Sequence, residues 1–141
     1  MQKKIYTLGT DLRSLEDFIE IINSHGIEAV IDVRSFPRSK LGHFNRVNLE
    51  AFLKEEMFEY HYLGKELGGF RKGGYEKYTR TKDFKTGIDI LETIAVSKTS
   101  VIICAERFPW KCHRWFIARA LQQRGWKVEH IIDKGKVWVP R

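Results

Sequence analysis

The sequence predicts an α/β fold: a mostly parallel sheet of about five strands flanked by helices, with a C-terminal hairpin strand, in a single domain over residues 1–141. Three observations carry that expectation. Short apolar, β-branched runs such as AVIDV within residues 28–34 and VIIC at 101–104 have the composition of strands buried on both faces. Segments with apolar residues at helical spacing alternate with these runs, the pattern of parallel strands joined by helical crossovers. A chain of 141 residues with 43% hydrophobic side chains can bury one sizeable core, and no internal repeat, low-complexity tract or linker divides it.

Taken in order, residues 4–8 form a first strand ending at Gly9, and Ser14 with Asp17 resembles a capping box for a helix carrying Leu15, Phe18, Ile19 and Ile22 on one face. Gly26 closes that helix. The second strand stops at Arg34 ahead of Pro37, which a central strand could not accommodate, and its end is strongly polar: Asp32, Arg34, Ser35, Arg38 and Ser39. Asn48 is expected to cap a short helix facing inward through Leu49, Phe52 and Leu53, and residues 58–63 alternate as a third strand does. Residues 64–80 hold five glycines, five Lys/Arg and three aromatics without regular periodicity, and are expected to form a long loop. Thr81 caps a helix burying Phe84, Ile88, Leu91 and Ala95. A fourth strand follows, then a helix opening at Lys111 and ending at Gly125, a fifth strand at 127–132 and a hairpin carrying Trp138.

Composition bounds the function. A formal charge of +7 favours anionic partners, a phosphorylated small molecule or nucleic acid, although 18 acidic residues are interspersed. No apolar run approaches the roughly 20 residues that cross a bilayer and the N-terminus lacks a signal-peptide pattern, so a cytoplasmic protein without membrane contact is expected. Two cysteines are too few for a secreted disulfide framework, and both are expected to be reduced.

The chemistry-bearing residues fall after the strands. In parallel sheets ligands bind beyond the carboxyl ends of the strands, and four loops should meet there: Gly9, Thr10 and Asp11 after the first strand, Asp32, Arg34, Arg38 and Ser39 after the second, Glu66, Gly68, Gly69 and Arg71 after the third, and Cys104, Glu106, Cys112, His113 and Arg114 after the fourth. Lys111, His113 and Arg114 in the first turn of a helix oppose its dipole unless an anion compensates them, so Arg114, with Arg34 or Arg38, is a candidate phosphate clamp. The competing reading is an internal Arg–carboxylate network locking the loops together. Cys112 in that electropositive setting is a candidate nucleophile with His113 and Glu106 beside it, or alternatively a packed thiol. Adjacent residues on a helix point about 100° apart, so His113 is expected to be poorly placed as the base for Cys112. No C-x-x-C or regular Cys/His ladder points to a metal, and no motif names a cofactor. The basic, aromatic segment 64–80 leaves a second class open, a non-catalytic nucleic-acid-binding domain.

The strings IDVRSFPRS at 31–39, YLGKELGG at 62–69 and CAERFPWKCHRWFIA at 104–118, with TLG in the first strand and TKDFKTGI at 81–88, resemble the small α/β domain catalogued as domain of unknown function 488. The resemblance implies the same fold and singles out Asp32, Arg34, Pro37, Ser39, Glu66, Leu67, Gly68, Gly69, Cys104, Glu106, Pro109, Cys112, His113 and Arg114, without implying a reaction, substrate or cofactor. This chain departs from the pattern with Thr10 and Asp11 after the first-strand Gly, where many members carry His and Ser.

Overall fold

A computed structural model describes residues 3–36 and 41–140. Six strands form one sheet: β1 (Lys4–Gly9), β2 (Ala29–Asp32), β3 (Glu59–Tyr62), β4 (Ser100–Cys104), β5 (Lys127–Asp133) and β6 (Lys136–Trp138), in the order β3-β2-β4-β1-β5-β6. Every neighbouring pair is parallel except β5–β6, the C-terminal hairpin. Gly135, at φ 68°, makes the left-handed turn of that hairpin. The helices are α1 (Leu15–Ser24), α2 (Arg46–Glu55), α3 (Gly64–Leu67), α4 (Tyr75–Tyr78), α5 (Lys82–Ser97) and α6 (Arg114–Gln123). None is long and apolar enough to cross a membrane.

The two-residue period of the strands sorts their side chains between two cores. Val101 and Ile103 of β4 join Phe18, Ile22, Leu49 and Leu53 under α1 and α2. Ile102 and Cys104 point the other way, into the core under α3, α4, α5 and α6 with Leu67, Tyr75, Ile88 and Ile117. The chain therefore leaves β1 and β2 over one face and β3 and β4 over the other. Where neighbouring strands send their connections to opposite faces, as β2 and β4 do, the loops part and leave a crevice at the carboxyl edge.

Several boundaries differ from the sequence expectation, each for a local reason. Ser14 and Thr81 do cap α1 and α5 through hydrogen bonds to Asp17 N (3.1 Å) and Phe84 N (3.2 Å). The second helix, however, begins at Arg46 with Asn45 as its N-cap residue, and Asn48 instead donates to the Gly42 carbonyl from within the first turn. Residues 64–80 are not one long loop: they contain α3 and α4, pinned by Tyr75 Oη–H to the Leu67 carbonyl (2.7 Å) and Tyr78 Oη–H to the Glu66 carbonyl (2.6 Å). The last helix opens at Arg114, not Lys111: Pro109–Lys111 is a 3-10 turn and Cys112 is extended, at φ −139° and ψ 150°.

Candidate functional site

A cavity of about 540 Å³ occupies the β2/β4 crevice. One wall is Arg34, Ser35 and Phe36, following β2; another is Ala105, Glu106, Trp110, Lys111, Cys112 and His113, following β4; Gly69, Phe70 and Tyr75 close it. The loops of the second, third and fourth strands thus meet on one rim, while the first-strand loop, expected to join them, pairs with the β4 end through Thr10 N to the Cys104 carbonyl and Asp11 N to the Ala105 carbonyl and does not line the cavity.

The β2 side is set by a buried ion pair. Asp32 is wholly buried at the end of β2 and accepts hydrogen bonds from Arg34 N (3.1 Å), Arg34 Nε (2.8 Å), Arg34 Nη2 (2.8 Å) and Tyr60 Oη (2.6 Å). Arg34 Nη1 donates to the Phe44 carbonyl (2.7 Å). Burial works against the Arg34 charge, yet the hydrogen bonds and charge of Asp32 prevail and hold the guanidinium above its ordinary value. Burial, helped by Asp32, pushes the Tyr60 phenol well above its usual range, so Tyr60 stays a donor. Tyr62 Oη–H reaches the Arg34 (2.9 Å) and Ser35 (3.1 Å) carbonyls and fixes the turn that enters the cavity.

The β4 side holds the chemistry. Because Cys112 is extended and not helical, the side chains of Cys112 and His113 converge, with His113 Nδ1 3.5 Å from Cys112 Sγ. His113 Nε2 lies 2.7 Å from the Val33 carbonyl. A carbonyl can only accept, so Nε2 carries the proton and Nδ1 presents its lone pair to the sulfur. Burial chiefly, then the charges of Arg114 and Arg71, lowers the His113 pKa and keeps the ring neutral, against the opposing effect of the Val33 carbonyl. The expectation that His113 is poorly placed as a base for Cys112 is corrected here, since it presumed a helical backbone. The sulfurs of Cys104 and Cys112 meet in direct contact, Cys104 buried at the end of β4 and Cys112 on the cavity wall.

The two glycines make room for this. A Cβ on Gly69 would stand 2.7 Å from His113 Nδ1, and one on Gly68 would overlap Ser35 Oγ and the Gly64 carbonyl. Gly69 therefore belongs to the site through what it leaves empty.

The arginines expected to clamp phosphate are engaged within the protein. Arg114 is fully buried: Nη1 donates to Thr7 Oγ1 (2.7 Å) and Nη2 to the Glu106 and Arg107 carbonyls (both 2.9 Å). Burial, reinforced by the charge of Arg13, pushes its pKa down to about 9. Arg71 donates to the Gly68 (2.9 Å) and Lys65 (2.7 Å) carbonyls and stacks on Tyr78, and Arg107 pairs with Asp11 and Asp133. Arg38 and Ser39 lie outside the described residues. Glu66 sits on α3 against Gly87 of α5 and does not line the cavity, whereas Glu106 does. Arg34 and Arg107 thus pair with carboxylates inside the protein, Arg71 and Arg114 donate to backbone carbonyls, and among the described residues Lys111 is the exposed cation on the cavity wall.

Sequence reasoning did not single out the aromatic rim. Phe36, Phe70 and Trp110 are 70%, 80% and 53% exposed around the mouth, with the Phe36 and Phe70 rings 5.5 Å apart. Their signal was present as aromatics flanked by Gly, Pro and basic residues outside any periodic segment.

The sequence pattern of the family described as Domain of unknown function DUF488 matches residues 14–121, most of the chain. The chain belongs to that family. The match takes in β2, β4, the loops after them and the start of α6, and so every wall of the cavity. No curated protein and no solved structure matches the chain.

Proposed function

We propose that this DUF488 domain is a small enzyme that binds one flat, anionic, nucleotide-like ligand in the β2/β4 cavity and uses Cys112, when reduced, as a nucleophile with His113 as its base. The observation that carries the reading is the 3.5 Å approach of His113 Nδ1 to Cys112 Sγ on the wall of a 540 Å³ cavity at the switch point of the sheet. That volume suits a small ligand. Phe36, Phe70 and Trp110 offer ring faces for stacking, and Lys111 offers a charge for a phosphate or carboxylate. With a neutral imidazole, the reduced pair rests as a thiol donating to nitrogen, and the proton moves to His113 as the sulfur attacks.

The second reading, a nucleic-acid-binding surface on residues 64–80, draws on the exposed Lys72, Lys77 and Arg80. It loses Arg71, which holds α3 in place. Calorimetry on the reduced protein separates the two. Mononucleotides should bind one site with shallow salt dependence and lose at least tenfold in affinity in Trp110→Ala and Lys111→Ala. Binding of oligonucleotides alone, falling steeply with salt, would favour the second reading.

A further inference from the structure

Cys104 and Cys112 are the only cysteines in the chain, one on each side of the loop that forms the β4 wall of the cavity. They differ in access. Cys104 is wholly buried in the core under α5 and α6, while Cys112 is partly exposed on the cavity wall against His113. The alternation of β4 is what makes the meeting possible: Cys104 faces the same side of the sheet as α6, and Cys112 lies two residues before the start of that helix.

We infer that Cys104 and Cys112 form a reversible thiol–disulfide exchange site for low-molecular-weight thiols, in which Cys104 is the resolving cysteine and oxidation withdraws the Cys112 nucleophile. This rests on the reading of Cys112 as the group that reacts in the cavity. Reduction begins when an external thiolate attacks Cys112 Sγ, the sulfur accessible from the cavity. The Cys104–Cys112 bond breaks, Cys104 Sγ leaves with the electron pair and takes up a proton, and a mixed disulfide remains on Cys112. A second external thiolate attacks the external sulfur of that mixed disulfide and releases the Cys112 thiolate, which accepts a proton. The external thiols leave as their disulfide, and the protein has gained two electrons and two protons. In the reverse direction the Cys112 thiolate attacks an external disulfide, whose bond breaks to release one external thiol and leave a mixed disulfide on Cys112, and the Cys104 thiolate then displaces the second external thiol, closing the internal bond.

His113 sits on the working side of this exchange. Its Nδ1 lone pair faces Cys112 and its Nε2–H is held by Val33, so it can accept the Cys112 proton as that thiol attacks. The oxidised state ties the β4 loop to the strand end and leaves no thiol for substrate. A pair placed this way fits the transient, catalytic or sensing disulfides found in reducing compartments.

The test counts thiols without any cavity ligand. The full chain is equilibrated across glutathione buffers from reducing to oxidising, quenched in acid, alkylated and weighed by intact mass spectrometry with peptide mapping. Wild type is expected to pass from two free thiols to none in one step, with the 104–112 linkage mapped. Cys104→Ala, which keeps the packing apolar, should stop at a glutathione adduct on Cys112, at least tenfold more abundant than in wild type. Cys112→Ser should leave Cys104 unmodified. Two thiols persisting in wild type under oxidising buffer, or an adduct forming on Cys104 in preference to Cys112, would overturn the inference. Failure of mononucleotides to bind would count against the ligand reading alone, because the thiol count needs no ligand.

Discussion

Arg114 provides the sharpest quantitative expectation, because position and charge give opposite answers about its role. A cation at the start of α6 invites an anion, yet the guanidinium is buried and donates to Thr7 and to the carbonyls of Glu106 and Arg107. Each hydrogen bond from a charged donor is worth about 1.5–3 kcal/mol net, and part of the sum is offset by the cost of burying the cation, visible in a pKa pushed down to about 9. Truncation to Ala also leaves a void and strips the buried Thr7 hydroxyl and two part-buried carbonyls of their donor, so Arg114→Ala is expected to destabilise by about 3–5 kcal/mol. At this chain length that corresponds to a fall in Tm of roughly 10–20 °C. Arg114→Met, which keeps the volume and removes the burial cost, should lose roughly 1–3 kcal/mol. Urea unfolding monitored by tryptophan fluorescence gives these values, and calorimetry with inorganic phosphate gives the comparison. Unchanged stability of Arg114→Ala together with lost phosphate affinity would refute the reasoning and return Arg114 to the ligand.

Asp32→Asn leaves the Arg34 guanidinium buried without its counter-charge, and chemical denaturation should show a loss of about 3–5 kcal/mol. Gly69→Ala places a methyl group 2.7 Å from His113 Nδ1; alkylation of reduced Cys112 should slow several-fold while Tm shifts by only a few degrees, and a normal rate would mean that Gly69 is not there to admit the imidazole. His130 is wholly buried, accepting at Nδ1 the hydroxyl proton of Thr7, and burial, then the Arg114 charge, lowers its pKa to about 3. Below the ordinary histidine value near 6.5 the unfolded chain binds a proton that the folded chain refuses, so stability should fall with pH from about 6.5 toward 3, by roughly 1 kcal/mol per pH unit. His130→Asn should flatten that slope, and an unchanged slope would locate the acid sensitivity elsewhere.

The fold was legible because periodicity and burial agreed: alternating apolar runs named the strands, and Ser14, Thr81, Gly26 and Gly125 marked helix ends that the structure keeps. The strand order was not, since composition does not say which neighbours β4 takes. The rim was legible from the rule that parallel sheets work at their carboxyl ends, which placed Asp32, Gly68, Gly69, Glu106, Cys112 and His113 near one another. What failed was the inference from residue type to contact. An arginine reads as a phosphate fork until its acceptors are known, and Arg34, Arg71, Arg107 and Arg114 each find those acceptors in the protein. Cys112 and His113 were mispaired on the assumption that the helix starts three residues early, a boundary decided by Pro109 and the 3-10 turn it starts. The chain Arg114–Thr7–His130 links residues more than a hundred positions apart, and no local pattern announces it.

The central claim is that the cavity at the ends of β2 and β4 presents Cys112 as a reactive thiol served by His113. The most direct measurement is site-resolved alkylation of the fully reduced protein with iodoacetamide, followed by peptide mapping, in wild type and in His113→Phe. Cys112 should be alkylated at least tenfold faster than Cys104 at neutral pH, and the Cys112 rate should fall several-fold when the imidazole is replaced. Equal rates at the two cysteines, or a Cys112 rate indifferent to His113, would contradict the account.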